Sequence, residues 1–249
     1  MSEVICIRRL NMDTSWLMEW SGTRLVIDPW LIGSEIDGFK WFNEQWHATE
    51  PVSIEDIGHF DAIIISQSYA DHCHLNTLKE LSPKPIYASP KAANVIDGWD
   101  LPNQVTKIDD ELSVGNVQIK CLRPDRRLDP IYYALIFSRD QDAVIYASHG
   151  FEPTTEQLEY MKSLNIKLLI TTLTEFKLPS FMGGKVNPGM DNARKLVEYL
   201  KPEKIINTHD EEKIAKGLVK RLAKVKYPDY DNTGFANFIK TDNYDPVLI

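Results

Sequence analysis

The chain has 249 residues, 43% hydrophobic and 26% charged, the balance of an ordinary soluble globular protein long enough to bury a core without disulfides or structural metals. Its formal net charge of −8, with both signs interspersed, argues against a nucleic-acid partner. The three cysteines, Cys6, Cys73 and Cys121, lack CxxC spacing. With no signal-peptide pattern and no apolar run of membrane-span length, they make a cytoplasmic protein the expectation.

Residues 4–10, 16–20 and 24–28 are short, rich in β-branched and aromatic side chains and separated by turn signals such as Ser21-Gly22, so strands are expected there. Residues 33–50 show little periodicity but carry Phe39, Trp41, Phe42 and Trp46; this insert could wall a pocket, mediate self-association into a homo-oligomer, or simply pack. Asp61-Ala62-Ile63-Ile64-Ile65-Ser66 is the continuous apolar run of a strand covered on both faces. A helix is expected over 74–81, ended by Ser82-Pro83, then a strand over 86–88 and a helix from Pro90, a residue suited to a first turn.

Strands follow over 105–108, 117–122, 131–138 and 143–148. The remainder alternates: helix 154–164, strand 168–172, helix 188–200, strand 204–208 and helix 211–224. In residues 213–226, lysines alternate with Ile214, Leu218, Val219 and Leu222, the pattern of an amphipathic helix with a solvated basic face. Residues 179–188 hold Phe181, Met182, Gly183 and Gly184 and suit a rim loop over a site. With no linker and no repeat, the pattern is that of one domain over residues 1–249, two sheets packed together with helices outside.

Three apolar strands run directly into ligand-type residues. Ile63-Ile64-Ile65-Ser66 leads to Gln67-Ser68-Tyr69-Ala70-Asp71-His72-Cys73-His74; Val144-Ile145-Tyr146-Ala147-Ser148 leads to His149; Ile205-Ile206-Asn207-Thr208 leads to His209-Asp210. Sites in layered α/β structures gather at the carboxyl ends of strands. These three ends hold four of the six histidines, and imidazole with carboxylate is what a divalent metal needs. His74 is expected to begin the following helix rather than join the site.

Leu25-Val26-Ile27-Asp28-Pro29-Trp30-Leu31, Ile63-Ile64-Ile65-Ser66 and Asp71-His72 together resemble the metallo-β-lactamase superfamily from about residue 4 to 222. The Ile-Asp-Pro-Trp-Leu form is similar to its ascorbate-lactonase-like and N-acylphosphatidylethanolamine phospholipase-like branch. The resemblance implies a four-layer αββα sandwich. It also implies a His-x-His-x-Asp-His motif, which here reads Gln67-Ser68-Tyr69-Ala70-Asp71-His72. The first metal site therefore lacks both leading histidines, and Asp125 is the only stand-in for the third. The second site is matched by Asp71, His72, His149 and His209, with His149 at the commoner aspartate's place.

The resemblance further implies that Asp28 orients a metal-binding histidine. One divalent ion (zinc, iron or manganese) is thus expected to serve a hydrolase acting on a small-molecule ester, lactone or phosphodiester. Asp71 would orient water, and Tyr69 or Gln67 would donate to the developing oxyanion. The alternative is a non-hydrolytic or ligand-binding relative that has lost the dinuclear site.

Overall fold

The computed structural model describes residues 4–124 and 132–249. Two seven-stranded sheets form its centre. From edge to edge, the first runs Val247–Leu248, Ile5–Arg9, Trp16–Trp20, Thr23–Ile27, Ala62–Ile65, Ile86–Ala88 and Val105–Lys107. The second runs Phe238–Ile239, Lys204–Asn207, Asn165–Thr171, Asp142–Ala147, Ala134–Arg139, Val117–Leu122 and Glu111–Val114.

Period-two alternation explains the layering, because successive side chains of a strand face opposite ways. Ile5, Ile7, Met18, Leu25, Ile27 and Ile64 of the first sheet meet Ile119, Phe137, Val144, Tyr146, Leu168 and Ile206 of the second in one buried core. The opposite face of the first sheet, with Leu17, Val26, Ile63 and Ile65, packs under Leu78, Ala92 and Ile96 of helices Leu75–Glu80 and Pro90–Asp97. The opposite face of the second, with Ile136, Ile145 and Leu169, packs under Met161 and Leu196 of helices Thr155–Lys162 and Met190–Leu200. The fold is the expected αββα sandwich. Residues 62–65 and 143–147 are buried throughout because both of their faces are covered.

Local signals set the helix starts. His74 is an N-cap, its ring accepting from the Thr77 amide, as its place before a helix suggested. Thr154 and Gln157 form a reciprocal capping box, and Pro90 opens its helix. The strand expected over 131–138 is Ala134–Arg139, residue 131 lying outside the described residues. All three cysteines are free. Among the described residues, no helix is long and apolar enough to cross a membrane.

The helix expected over 211–224 does not form. In its place stand a strand Ile214–Lys216, a short helix Leu218–Leu222 and a strand Lys224–Lys226. Gly217 interrupts any continuous helix at φ 103°, and a Cβ there would lie 2.6 Å from the Phe42 carbonyl oxygen. Both strands then find partners, Ile214–Lys216 against Glu44–Trp46 and Lys224–Lys226 against Glu175–Lys177. Tertiary pairing has overridden the amphipathic pattern.

Candidate metal centre

His72, His149 and His209 meet at the carboxyl ends of Ala62–Ile65, Asp142–Ala147 and Lys204–Asn207, with ligand nitrogens within 4.8 Å of one another. Each ring is held from behind. His72 Nδ1 donates to Asp28 Oδ2 at 2.7 Å, His149 Nδ1 to Asn187 Oδ1 at 2.7 Å, and His209 Nδ1 to Asp13 Oδ1 at 3.2 Å. With Nδ1 so engaged, the neutral rings present Nε2 as an acceptor. His72 Nε2 and His149 Nε2 lie 3.1 Å apart. Two nitrogens bound to one ion at about 2.1 Å can be no more than about 4.2 Å apart, so this pair fits a shared ion.

Asp71 joins the histidines from the side. Its Oδ1 lies 3.7 Å from His72 Nε2 and its Oδ2 3.5 Å from His209 Nε2. Thr14 Oγ1 holds the Asp71 carbonyl at 2.6 Å, fixing the loop. Burial opposes the Asp71 charge, yet His72, Lys213 and His209 hold its carboxyl well below the usual carboxylate range. Burial likewise lowers His72, but Asp71 and Asp28 outweigh it and keep that imidazole above its ordinary pKa. His149 goes the other way: burial, then His209 and His72, push it well below.

The Asp28 carboxylate sits at the centre of the support. Its Oδ1 accepts from the Ser66 amide at 2.6 Å, and its Oδ2 accepts from Ser66 Oγ, from His72 and from Tyr146 Oη at 2.9 Å. Asp28 (φ 47°) and His209 (φ 58°) both occupy the left-handed region unusual for such residues. Surrounding bonds over-determine the strained His209 turn: its amide donates to the Asp13 carbonyl at 2.8 Å, and Thr208 Oγ1 to the same oxygen at 3.0 Å.

Gln67 departs from its expected role. Its Nε2 donates to the Tyr133 carbonyl at 2.8 Å and its Oε1 accepts from the Tyr133 amide at 3.3 Å. The amide is a clamp on the neighbouring backbone, while the Tyr69 ring meets His149 edge-on with centroids 5.8 Å apart. Asp125 lies outside the described residues.

Three residues of the centre were not found by sequence reasoning. Asp13 lies between the first two strands, in a stretch with no site signal in the sequence, and is fully buried. Asn187 gave no signal. Lys213 was hidden among the surface lysines that follow it, yet its side chain is only 11% exposed. Its Nζ lies 2.6 Å from Asp13 Oδ2 and 3.5 Å from Asp71 Oδ2, with Trp30 beneath. Burial lowers the ammonium, but Asp13, Asp71 and Glu35 together raise it above the ordinary lysine value. Asp13, Asp71 and His209 form a second group of ligand type; its two carboxylates already share this ammonium.

The centre opens into a cavity of about 600 Å³, in the range of small-molecule sites. Its wall combines Tyr69, Phe42, Phe176, Leu178 and Met182 with acidic Glu35 and Asp37. Residues 179–188, expected as a rim loop, form a 3-10 turn Ser180–Met182 and a strand Lys185–Pro188 that carries Asn187 to the site. Burial, then Asp37 and Asp71, push the Glu35 carboxyl well above its usual value.

Residues 12–209 match the model of the family described as beta-lactamase superfamily domain. Among solved structures, the chain is similar to a possible metal-dependent hydrolase from Veillonella parvula (TM-score 0.70, 13% identity, 100% of each chain covered). It is also similar to Igni18, a metallo hydrolase from the archaeon Ignicoccus hospitalis (TM-score 0.68, 12% identity, 99% of this chain and 98% of that one). An isothiocyanate hydrolase from Delia radicum gut bacteria aligns equally well (TM-score 0.68, 15% identity, 99% and 98%). At these identities the likeness is one of fold. No curated protein sequence matches the chain.

Proposed function

The chain belongs to the beta-lactamase superfamily, and on that premise we propose that it is a metal-dependent hydrolase working with a single ion. His72, His149, His209 and Asp71 are its ligands. One observation carries this reading: the three rings all have Nδ1 held by an acceptor, leaving the inward Nε2 atoms as donors to a cation. Within the superfamily, the Ile27-Asp28-Pro29-Trp30-Leu31 run favours the ascorbate-lactonase-like and N-acylphosphatidylethanolamine phospholipase-like branch.

A divalent ion in this setting supplies Lewis-acid polarisation of a substrate oxygen and makes water more acidic. Four protein ligands suit iron or manganese, which accept five or six donors, better than zinc in an open tetrahedral site. The chain's own residues do the rest. Asp28, Asn187 and Asp13 fix the ring orientations. Asp71, kept ionised by its cationic neighbours, orients the attacking water. Tyr69 donates to the oxyanion that develops beside His149. Phe42, Phe176 and Met182 receive the apolar body of a small ester, lactone or phosphodiester.

Protein loaded in turn with zinc, manganese or ferrous iron should be offered p-nitrophenyl acetate, a γ-lactone and bis(p-nitrophenyl) phosphate. Metal-dependent turnover of one class, lost in His149→Ala, supports the proposal. No turnover of any class with any metal favours a non-hydrolytic relative.

A further inference from the structure

Three segments border the mouth of the cavity: residues 39–43, 177–185 and 213–226. Phe42, Met182, Val219 and Val225, drawn from all three, share its wall. They are joined directly. Leu218 and Val219 donate to the carbonyls of Trp41 and Phe42 at 3.1 and 3.0 Å, and Lys224–Lys226 pairs with Glu175–Lys177.

Their outer surface is unlike the rest of the protein in two ways. First, it is apolar. Phe39 is 66% exposed and Trp41 67%, their rings stacked with centroids 6.1 Å apart, and Phe181 is 83% exposed; Leu218, Leu222 and Val225 of the third segment are also exposed. Second, it is basic. Apart from Lys213, which is buried against Asp13, the three segments contain eight Lys and Arg and no Asp or Glu. Lys40, Lys177 and Lys185 have Glu44 or Glu175 as partners, so the charge concentrates on exposed Lys216, Lys220, Arg221, Lys224 and Lys226.

We infer that this rim docks on an anionic lipid bilayer, with Phe39, Trp41, Phe181 and Leu222 entering the headgroup region and the lysines meeting lipid phosphates. Amphipathic surfaces with bulky apolar side chains flanked by Lys and Arg bind in this way. Charge complementarity selects the occupant. A second copy of this chain in a two-fold contact would set one basic face against another. Nucleic acid would satisfy the lysines but leave Leu218, Leu222 and Val225 in water. The inference does not rest on the metal reading.

The intact protein should be sedimented with phosphatidylcholine vesicles and with vesicles containing about one third phosphatidylglycerol. Binding is expected to the anionic vesicles alone, weakening steeply as salt is raised. Replacing Lys220, Arg221 and Lys224 with Gln should lower the partition coefficient about fivefold per charge removed. Phe39→Ser with Trp41→Ser should abolish binding while the thermal melt, reporting the fold, is unchanged. Equal binding to neutral vesicles, or none to either, overturns the inference. So does tighter binding of a single-stranded oligonucleotide than of anionic vesicles, or a dimer broken by the same two substitutions without vesicle binding.

Discussion

His72 Nε2 faces His149 Nε2 across 3.1 Å, with the other nitrogen of each ring already donating, one to Asp28 and one to Asn187. Two imidazole lone pairs at that separation repel unless a cation, a proton or a metal ion, lies between them. The proximity therefore belongs to a site organised around positive charge.

Asp28→Asn tests the support behind that pair. Asparagine keeps the shape but turns an NH₂ group toward donors that now converge on a carboxylate, the Ser66 amide and hydroxyl, Tyr146 and His72. Metal affinity should fall about 10–100-fold, read by competition with a chromogenic chelator. An unchanged affinity removes Asp28 from the support.

Gln67→Ala should separate stability from metal binding. It leaves the buried Tyr133 backbone groups without their partner, at a cost of about 1–3 kcal/mol in urea unfolding. Metal affinity should move less than about threefold, or 0.7 kcal/mol by the usual conversion. A large loss of metal would make Gln67 a ligand after all.

Lys213→Met leaves Asp13, which is fully buried, without its ammonium at 2.6 Å. Breaking a buried pair from one side destabilises by about 3–5 kcal/mol. Lys213→Arg should recover part of it. A loss under about 1 kcal/mol would mean that Asp13 finds its compensation elsewhere.

Much of this centre was legible because strand ends announce themselves. Ile63-Ile64-Ile65-Ser66 and Ile205-Ile206-Asn207-Thr208 are apolar runs that stop at polar residues, and both do end at the site. Of what lay behind the histidines, Asp28 came from the family resemblance and does hold His72, whereas Asp13 and Asn187 were not legible. Asp13 and Lys213 are buried with their charges compensated by each other and by His209 and Asp71, and a sequence pattern that equates charge with exposure reads both as surface. The 211–224 region failed for a related reason: a three-residue strand such as Ile214–Lys216 has too few residues to show a period, and its identity comes from the Glu44–Trp46 partner.

Glu35→Gln gives a pH-dependent prediction. The Glu35 carboxyl is raised well above its ordinary value of 4.5 by burial and by Asp37 and Asp71. A raised folded pKa contributes stability fully present below the unfolded pKa and lost as pH rises through the folded one. Wild-type protein should therefore lose stability relative to the neutral variant as pH rises from the ordinary carboxylate range through the raised folded pKa. In metal-stripped protein, the two melting temperatures should agree near pH 4.5. Above the raised folded pKa the variant should melt higher by roughly 2–4 °C for each kcal/mol of relieved burial cost. A variant that melts lower at every pH contradicts the assignment.

The number of ions bound tests the central claim most directly. Elemental analysis of protein loaded with manganese or ferrous iron and then dialysed should find one equivalent per chain, and His209→Ala should retain essentially none. Gln67 is clamped to Tyr133, and the Asp13 and Asp71 carboxylates hold the Lys213 ammonium, which is why a second ion is not expected beside the first. Two equivalents surviving dialysis, or one equivalent retained by His209→Ala, would contradict the single-ion centre.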